Sequence, residues 1–225
     1  MATSDTTRLL VLGVVQIFEP ANGYQLRQEL LSWEVEDWAH VNPGSVYSML
    51  ATLAKQGLVE RVDLQLTPGA RAVAVYRMTP AGQKELVALV HEAIVEVQPF
   101  ERTAFYAAMS MGMGLLDRDE MLRLLEQRSA RLEDGIAMIR EKATIAAAPG
   151  SPPHVAPLMG YSLSQSESER AWLVGFAESV RRGEMVFRGE AARVDWKPAD
   201  NDPVWRMLNE QVAYRAKLAE LDAKA

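Results

Sequence analysis

The chain has no cysteine. Disulfides and thiolate metal sites are therefore excluded, and a reducing cytoplasm is compatible with the composition. Histidine is scarce as well. His40, His91 and His154 lie far apart, in none of the spacings that mark a zinc site, and no phosphate-binding glycine loop or nucleophile elbow occurs. No enzyme activity, metal or cofactor is expected. Long apolar runs are missing too. The most apolar stretch, residues 9–18, is too short to span a bilayer and lacks the charged start and cleavage site of a signal peptide. Basic residues are outnumbered: 24 Lys and Arg stand against 30 Asp and Glu, a formal charge of −6. Dividing the chain does not change the sign, since residues 1–90 hold 7 against 9 and the remainder 17 against 21. A chain with this balance does not attract nucleic acid by bulk charge. Any such contact needs a local patch, with Glu34, Glu36 and Asp37 turned away.

What is present centres on residues 42–57. Pro43 suits a first helical turn, where its missing N–H has no partner to lose. Val46, Met49, Leu50 and Leu53 recur at three- and four-residue spacing and share one helix face. Gly44, Ser48, Ala51 and Lys55 form a small or polar face opposite, with Tyr47 on the flank. Gly57 stops the helix, because glycine takes the left-handed terminal conformation without a steric penalty. Two β-rich runs follow, residues 58–64 and 72–79, joined by a turn at Pro68-Gly69, which predicts a hairpin. Arg71 lies at its tip and Arg77 on its return strand. Upstream, residues 23–31 predict a helix with Leu26, Leu30 and Leu31 facing inward. Helix, helix, glycine stop and hairpin is the order of a winged helix-turn-helix. In that arrangement the second helix enters a DNA major groove and basic groups on the wing meet phosphates. On the helix alone, an ordinary amphipathic packing element explains the same pattern.

Gly23-Tyr24-Gln25-Leu26, Pro43-Gly44-Ser45-Val46-Tyr47, Leu50, Leu53, Gly57-Leu58-Val59 and Tyr76-Arg77-Met78-Thr79-Pro80-Ala81-Gly82 together resemble the PadR family of bacterial transcriptional regulators. The resemblance implies a mainly α fold: a winged helix-turn-helix with a two-stranded wing over residues 1–82, then a helical dimerisation domain over 83–225. It implies a homodimer on a palindromic DNA operator, acting as a repressor in the cytoplasm. Tyr24, Gln25, Gly44, Ser45, Tyr47, Ser48, Lys55, Arg71 and Arg77 are the expected DNA-facing residues. The wing is less basic than in the proteins it resembles, which weakens its hold on phosphate. The other reading is a winged-helix interaction module without specific DNA binding.

In the tail, Thr79-Pro80 opens a helix with Leu86, Leu89, Val90, Ile94 and Val97 as its stripe. Gly112 and Gly114 are expected to break the next one, over residues 100–116. Asp117 begins a long helix on which Leu122, Leu125, Ser129, Leu132, Ile136 and Ile139 trace a heptad seam. Residues 146–160 form a proline-rich loop, after which Ser166 and Glu169 are expected to cap a helix carrying Trp172, Leu173, Phe176 and Val180. A last helix repeats the seam through Val204, Met207, Gln211, Tyr214, Leu218 and Leu221. At least one seam is expected to bury against a second subunit; an intrachain bundle explains the first equally well. This helical tail is similar in architecture to the longer-tailed, AphA-like members of the family. Trp33 and Trp38 are expected to close the small N-terminal core, with an effector pocket as the alternative. Met109, Met113, Trp172 and Trp205, with Met111 and Trp196 nearby in type, are the candidate contacts for a small apolar effector; ordinary core packing is the competing explanation.

Overall fold

The computed structural model describes residues 3–98, 101–191, 199, 202 and 204–223. The chain divides into two compact units. One holds residues up to Leu89 together with the C-terminal helix, and the other holds Val90–Arg193. The expected boundary at residue 82 and the expected placing of the last helix with the tail both differ from this division.

In the first unit, α1 (Thr3–Phe18) contains the apolar stretch of residues 9–18. It is helical, and Leu9, Leu10, Leu12, Val14 and Val15 are fully buried, which makes it the floor of the domain. A two-residue strand, β1 (Ala21–Asn22), leads into α2 (Gly23–Ser32). Asn22 and Gln25 close a reciprocal capping box: Asn22 Oδ1 accepts from the Gln25 N–H at 3.0 Å, and the Asn22 N–H donates to Gln25 Oε1 at 2.9 Å. A short helix not foreseen in the sequence, α3 (Val35–Ala39), connects to α4 (Pro43–Lys55). Trp33 lies half-buried with its ring 6.2 Å from Phe18, and the Trp38 indole N–H donates to the Trp33 carbonyl at 2.8 Å. The two tryptophans thus serve the core of this unit.

α4 ends where expected. Gly57 has φ +72°, its N–H reaches Ala54 O at 3.1 Å, and the Leu58 N–H reaches Leu53 O at 2.9 Å, so the last carbonyls are satisfied in the Schellman pattern. β2 (Val59–Leu64) and β3 (Val73–Met78) pair antiparallel from Val59 against Met78 to Leu64 against Val73. Pro68-Gly69 makes the turn: Gly69 has φ +80° and the Ala70 N–H donates to Thr67 O at 3.1 Å. The sheet has three strands in the order β1-β3-β2, so the two-stranded wing gains a third member. Two residues, Ala-Asn, carry no alternation from which that strand could be read.

α5 (Pro80–Val95) starts at a threonine cap, as the sequence predicts, with the Gly82 N–H donating to Thr79 Oγ1 at 3.0 Å. The last helix, α9 (Val204–Asp222), lies on the sheet of the first unit. Leu64, Val75, Tyr214 and Leu218 form one buried cluster, with Val62 and Val73 against it.

The second unit contains α6 (Thr103–Leu115), α7 (Arg118–Ala146) and α8 (Val155–Arg181). α6 runs unbroken through Gly112 and Gly114. Gly112 is buried, and a Cβ there would stand 2.8 Å from Met121 Cε, so the glycine serves close packing. Asp117 caps α7 by accepting from the Glu120 N–H at 2.8 Å. α8 begins at Val155, which shortens the expected loop and places Pro157 in the first helical turn, where proline is tolerated. Ser166 and Glu169 lie inside α8 and cap nothing. α7 and α8 pack antiparallel, as the ion pairs Arg140–Glu167, Glu133–Arg170 and Glu126–Arg181 require.

Candidate nucleic-acid interface

The site is the outer face of α4 with the start of α2 beside it. Burying Val46, Leu50 and Leu53 on one side of α4 forces Gly44, Ser48, Ala51 and Lys55 outward on the other. Thr52 continues the row of Gly44 and Ser48 at four-residue spacing, and sequence reasoning passed it over. The row is made of hydroxyls and small groups. Ser48 Oγ donates to Gly44 O at 3.3 Å and Thr52 Oγ1 to Ser48 O at 2.9 Å, so each hydroxyl keeps acceptor capacity toward the outside. Ser45 Oγ donates to Asn42 O at 2.6 Å and belongs to the helix start.

Two tyrosines frame the row. Tyr24 is 61% exposed and accepts from Gln28 Nε2 at 3.3 Å. Tyr47 is 45% exposed, yet one edge of its ring covers Gly23: a Cβ on Gly23 would lie 3.1 Å from Tyr47 Cε1. The ring therefore supports the contact between α2 and α4 while the rest of it faces out. Lys55 and Arg71 are exposed and make no ion pair among the described residues.

Two of the nine expected DNA-facing residues are placed otherwise. Gln25 is buried, and beyond its capping role its Nε2 donates to Glu210 Oε2 at 2.7 Å. Capping α2 consumes the side chain. Arg77 points to acids: Nε to Glu60 Oε2 at 2.5 Å, and its two terminal nitrogens to Asp222 at 2.8 and 3.0 Å. Hydrogen bonds from Arg77 hold the Asp222 carboxyl below its ordinary value, and the same bonds raise the arginine. Glu60 faces Arg77 directly across the β2–β3 ladder, a pairing visible only once register is known.

The two seams are largely consumed inside the chain. Leu125, Leu132 and Ile136 are buried in the second unit, and Met207, Tyr214 and Leu218 in the first, which corrects the expectation of a bare seam awaiting a partner. Leu122, Ile139 and Val204 are half-buried, and Leu221 is exposed.

Of the four effector candidates, Met109, Met113 and Trp172 do meet, along an open groove of about 580 Å³ between α6 and α8 that Phe105, Tyr106 and Phe176 also line. Trp172 stacks on Phe176 at 4.9 Å and meets Phe105 edge-on at 6.0 Å. Trp205 belongs to the other unit, where its indole N–H donates to Ala199 O at 2.8 Å. Met111 is core, and Trp196 lies outside the described residues. Beneath the groove lies a charge cluster that the sequence did not betray. Arg128, 1% exposed, pairs with Glu169 at 2.5 Å, donates to the carbonyls of Ile94 and Glu96, and sits 3.8 Å over the Phe105 ring. Arg102 holds the other oxygen of Glu169 at 2.8 Å. Burial pulls the Arg128 guanidinium down and Glu169 opposes it. Among the described residues, no three His, Cys, Asp or Glu side chains are grouped to hold a metal, and no helix is long and apolar enough to cross a membrane.

Residues 11–88 match the model of the transcriptional regulator PadR-like family. No curated protein matches the chain. Among solved structures, Bacillus subtilis PadR in complex with operator DNA is 15% identical over 77% of this chain and 98% of its own, with a TM-score of 0.33. The same protein in complex with p-coumaric acid is 15% identical over 78% and 99%, with a TM-score of 0.30. A Streptococcus mutans protein is 21% identical over 76% and 98%, with a TM-score of 0.34.

Proposed function

With residues 11–88 a PadR-like transcriptional regulator domain, we propose that the chain is a bacterial DNA-binding repressor that acts in the cytoplasm as a homodimer on a palindromic operator. The observation that carries this reading is the outer face of α4. It is a row of small and hydroxyl-bearing residues, framed by Tyr24 and Tyr47 and flanked by Lys55, on a helix whose opposite face is fixed in the core. Such a face can approach base edges closely, and hydroxyls both donate and accept there. Lys55 and Arg71 serve phosphate. Gln25 works indirectly, by fixing the start of α2, and Arg77 is withheld by its acids. The protein acts by binding, without catalysis or cofactor. The test is retention of genomic DNA fragments on the full chain at low salt, followed by sequencing. A shared motif with two-fold symmetry and half-sites about one helical turn apart, ~34–36 Å, is expected; fragments with no shared sequence refute the reading.

The clasp on Arg77 and the acidic balance favour a second reading, an interaction module without DNA specificity. The same experiment separates the two. The expected small apolar effector narrows to the groove of Met109, Met113 and Trp172.

A further inference from the structure

The capping box at the start of α2 leaves two amide groups over. Asn22 spends its Oδ1, and Gln25 its Oε1, on backbone N–H groups. Each side-chain NH2 must therefore point the other way, and both point to α9. Asn22 Nδ2 donates to Tyr214 Oη at 3.0 Å, and Gln25 Nε2 to Glu210 Oε2 at 2.7 Å. Glu210 and Tyr214 stand one helical turn apart on α9, and the Tyr214 hydroxyl donates to Glu210 Oε2 at 3.4 Å, which closes the ring. Arg206 Nε holds the other Glu210 oxygen at 3.1 Å. Gln25 is 8% exposed and Tyr214 2%. α9 grips two more elements of the same unit. Gln211, also buried, donates through Nε2 to the Phe18 carbonyl at the end of α1. Asp222, at the far end, holds Arg77 on β3.

Covering the sheet does not call for this network. The Tyr214 ring and Leu218 already bury against Leu64 and Val75. Apolar burial is non-directional, so by itself it leaves a helix several places to settle. A buried polar network with every member satisfied selects one of them. What it selects bears on the face proposed for DNA. Gly23 and Tyr24 lie between the two anchors, Asn22 and Gln25. Tyr24 is exposed on that face, and Gly23 carries the edge of the Tyr47 ring from α4. From Glu210 to Asp222 is about 18 Å of helix, so one rigid element reaches both the start of α2 and the return strand of the wing. We propose that α9 is a splint for DNA binding. Glu210 and Tyr214 are positioning residues: they hold the first turn of α2, with Tyr24, in place beside α4, and the seating of the C-terminal helix thereby sets operator affinity. The effect on affinity rests on the operator reading; the ordering of α2 by α9 does not.

Gln25→Glu, made in the full chain, separates this role from capping. Glutamate serves as well as glutamine at that position of a capping box, so a cap alone predicts no loss. Facing Glu210 at neutral pH, it sets carboxylate against carboxylate. The variant is expected to bind a selected duplex about tenfold more weakly, with unchanged helical circular dichroism. With no DNA present, amide hydrogen exchange over residues 22–28 should quicken. Adding Glu210→Gln restores a donor and an acceptor with their places exchanged, and both readouts should return toward wild type. Tyr214→Phe removes one hydroxyl and keeps the buried ring, so it carries the test if Gln25→Glu fails to fold; it should lower affinity and protection in the same direction. Wild-type affinity and exchange in the single variants, or a loss that Glu210→Gln does not repair, overturn the splint. Quickened and repaired exchange with unchanged affinity, in a protein that selects a motif, overturns its part in DNA binding. A wild type that selects no motif overturns the operator reading; repaired exchange then still supports α9 as the element that orders α2, and unrepaired exchange overturns that as well.

Discussion

Asp222, on the last turn of α9, grips Arg77 on the return strand of the wing through two hydrogen bonds of 2.8 and 3.0 Å. An acid at a helix C-terminus opposes the helix dipole, and here the arginine offsets it. The basic residue of the return strand is thereby neutralised toward phosphate. Asp222→Asn, combined with Glu60→Gln, should release it. The double variant is expected to bind every duplex more tightly and to steepen the dependence of affinity on salt by about one phosphate per subunit. The sign with pH follows from the depressed Asp222 carboxyl. The clasp is complete above the ordinary carboxylate value and opens only as pH falls through the lowered one, so this pair should give no pH dependence between about pH 5 and 8. Unchanged affinity and salt slope in the double variant would mean that the wing stays clear of DNA.

Tyr47 has two roles that can be separated. Tyr47→Phe keeps the ring over Gly23 and removes only the exposed hydroxyl. DNA affinity should fall by roughly one hydrogen bond, about 1 kcal/mol, with the melting temperature nearly unchanged. Gly23→Ala should displace the ring, since the new Cβ would crowd Tyr47 Cε1 at 3.1 Å. Normal binding per folded molecule by the phenylalanine variant, with lowered stability, would assign Tyr47 to packing alone.

Glycines on the two sides of the domain should respond oppositely. A Cβ at Gly82 would stand 1.9 Å from the Leu58 carbonyl oxygen, at the point where Thr79 Oγ1 also reaches Gly57 O and Leu58 O at 2.8 and 2.9 Å. Gly82→Ala should therefore cost about 3 kcal/mol in urea unfolding. At Gly44 a Cβ meets nothing within 4 Å, so Gly44→Ala should leave stability within about 0.5 kcal/mol while adding a methyl to the face proposed to meet DNA. Equal costs at both positions would contradict the packing described for the wing.

Glu169→Leu should destabilise the second unit by about 3–5 kcal/mol, because it leaves Arg128 as a buried cation without its carboxylate. The midpoint of urea denaturation reads this. A change below about 1 kcal/mol would place the pair among solvated surface contacts.

The N-terminal domain is legible in the sequence because its signals are local. Pro43, Gly57, Pro68-Gly69 and Thr79-Pro80 act within a turn of themselves, and the stripe of Val46, Leu50 and Leu53 decides which way Ser48 and Tyr47 face. What escaped depends on distant partners. Arg77 looks like a free wing arginine until register sets Glu60 opposite it and α9 brings Asp222, 145 residues away. Gln25 looks like a surface residue until its cap and Glu210 bury it. Tail periodicity located helices but not the neighbours they pack on, so the Leu125–Ile136 and Met207–Leu218 rows read as open seams. Arg128 is one more arginine in a polar helix, and nothing local marks it as buried.

The reading stands or falls on whether α4 reads base sequence. The measurement is selection of bound duplexes from a random pool, performed in parallel on the wild type, on Ser48→Asn and on Arg71→Ala. The wild type should yield one two-fold symmetric motif. Ser48→Asn should shift the preferred base at symmetry-related positions, since an amide in that place presents a different donor and acceptor pattern to the groove. Arg71→Ala should keep the motif and lower affinity for all sequences alike. A wild type that enriches no motif, or a Ser48→Asn variant that selects the wild-type motif unchanged, would contradict α4 as the helix that reads DNA.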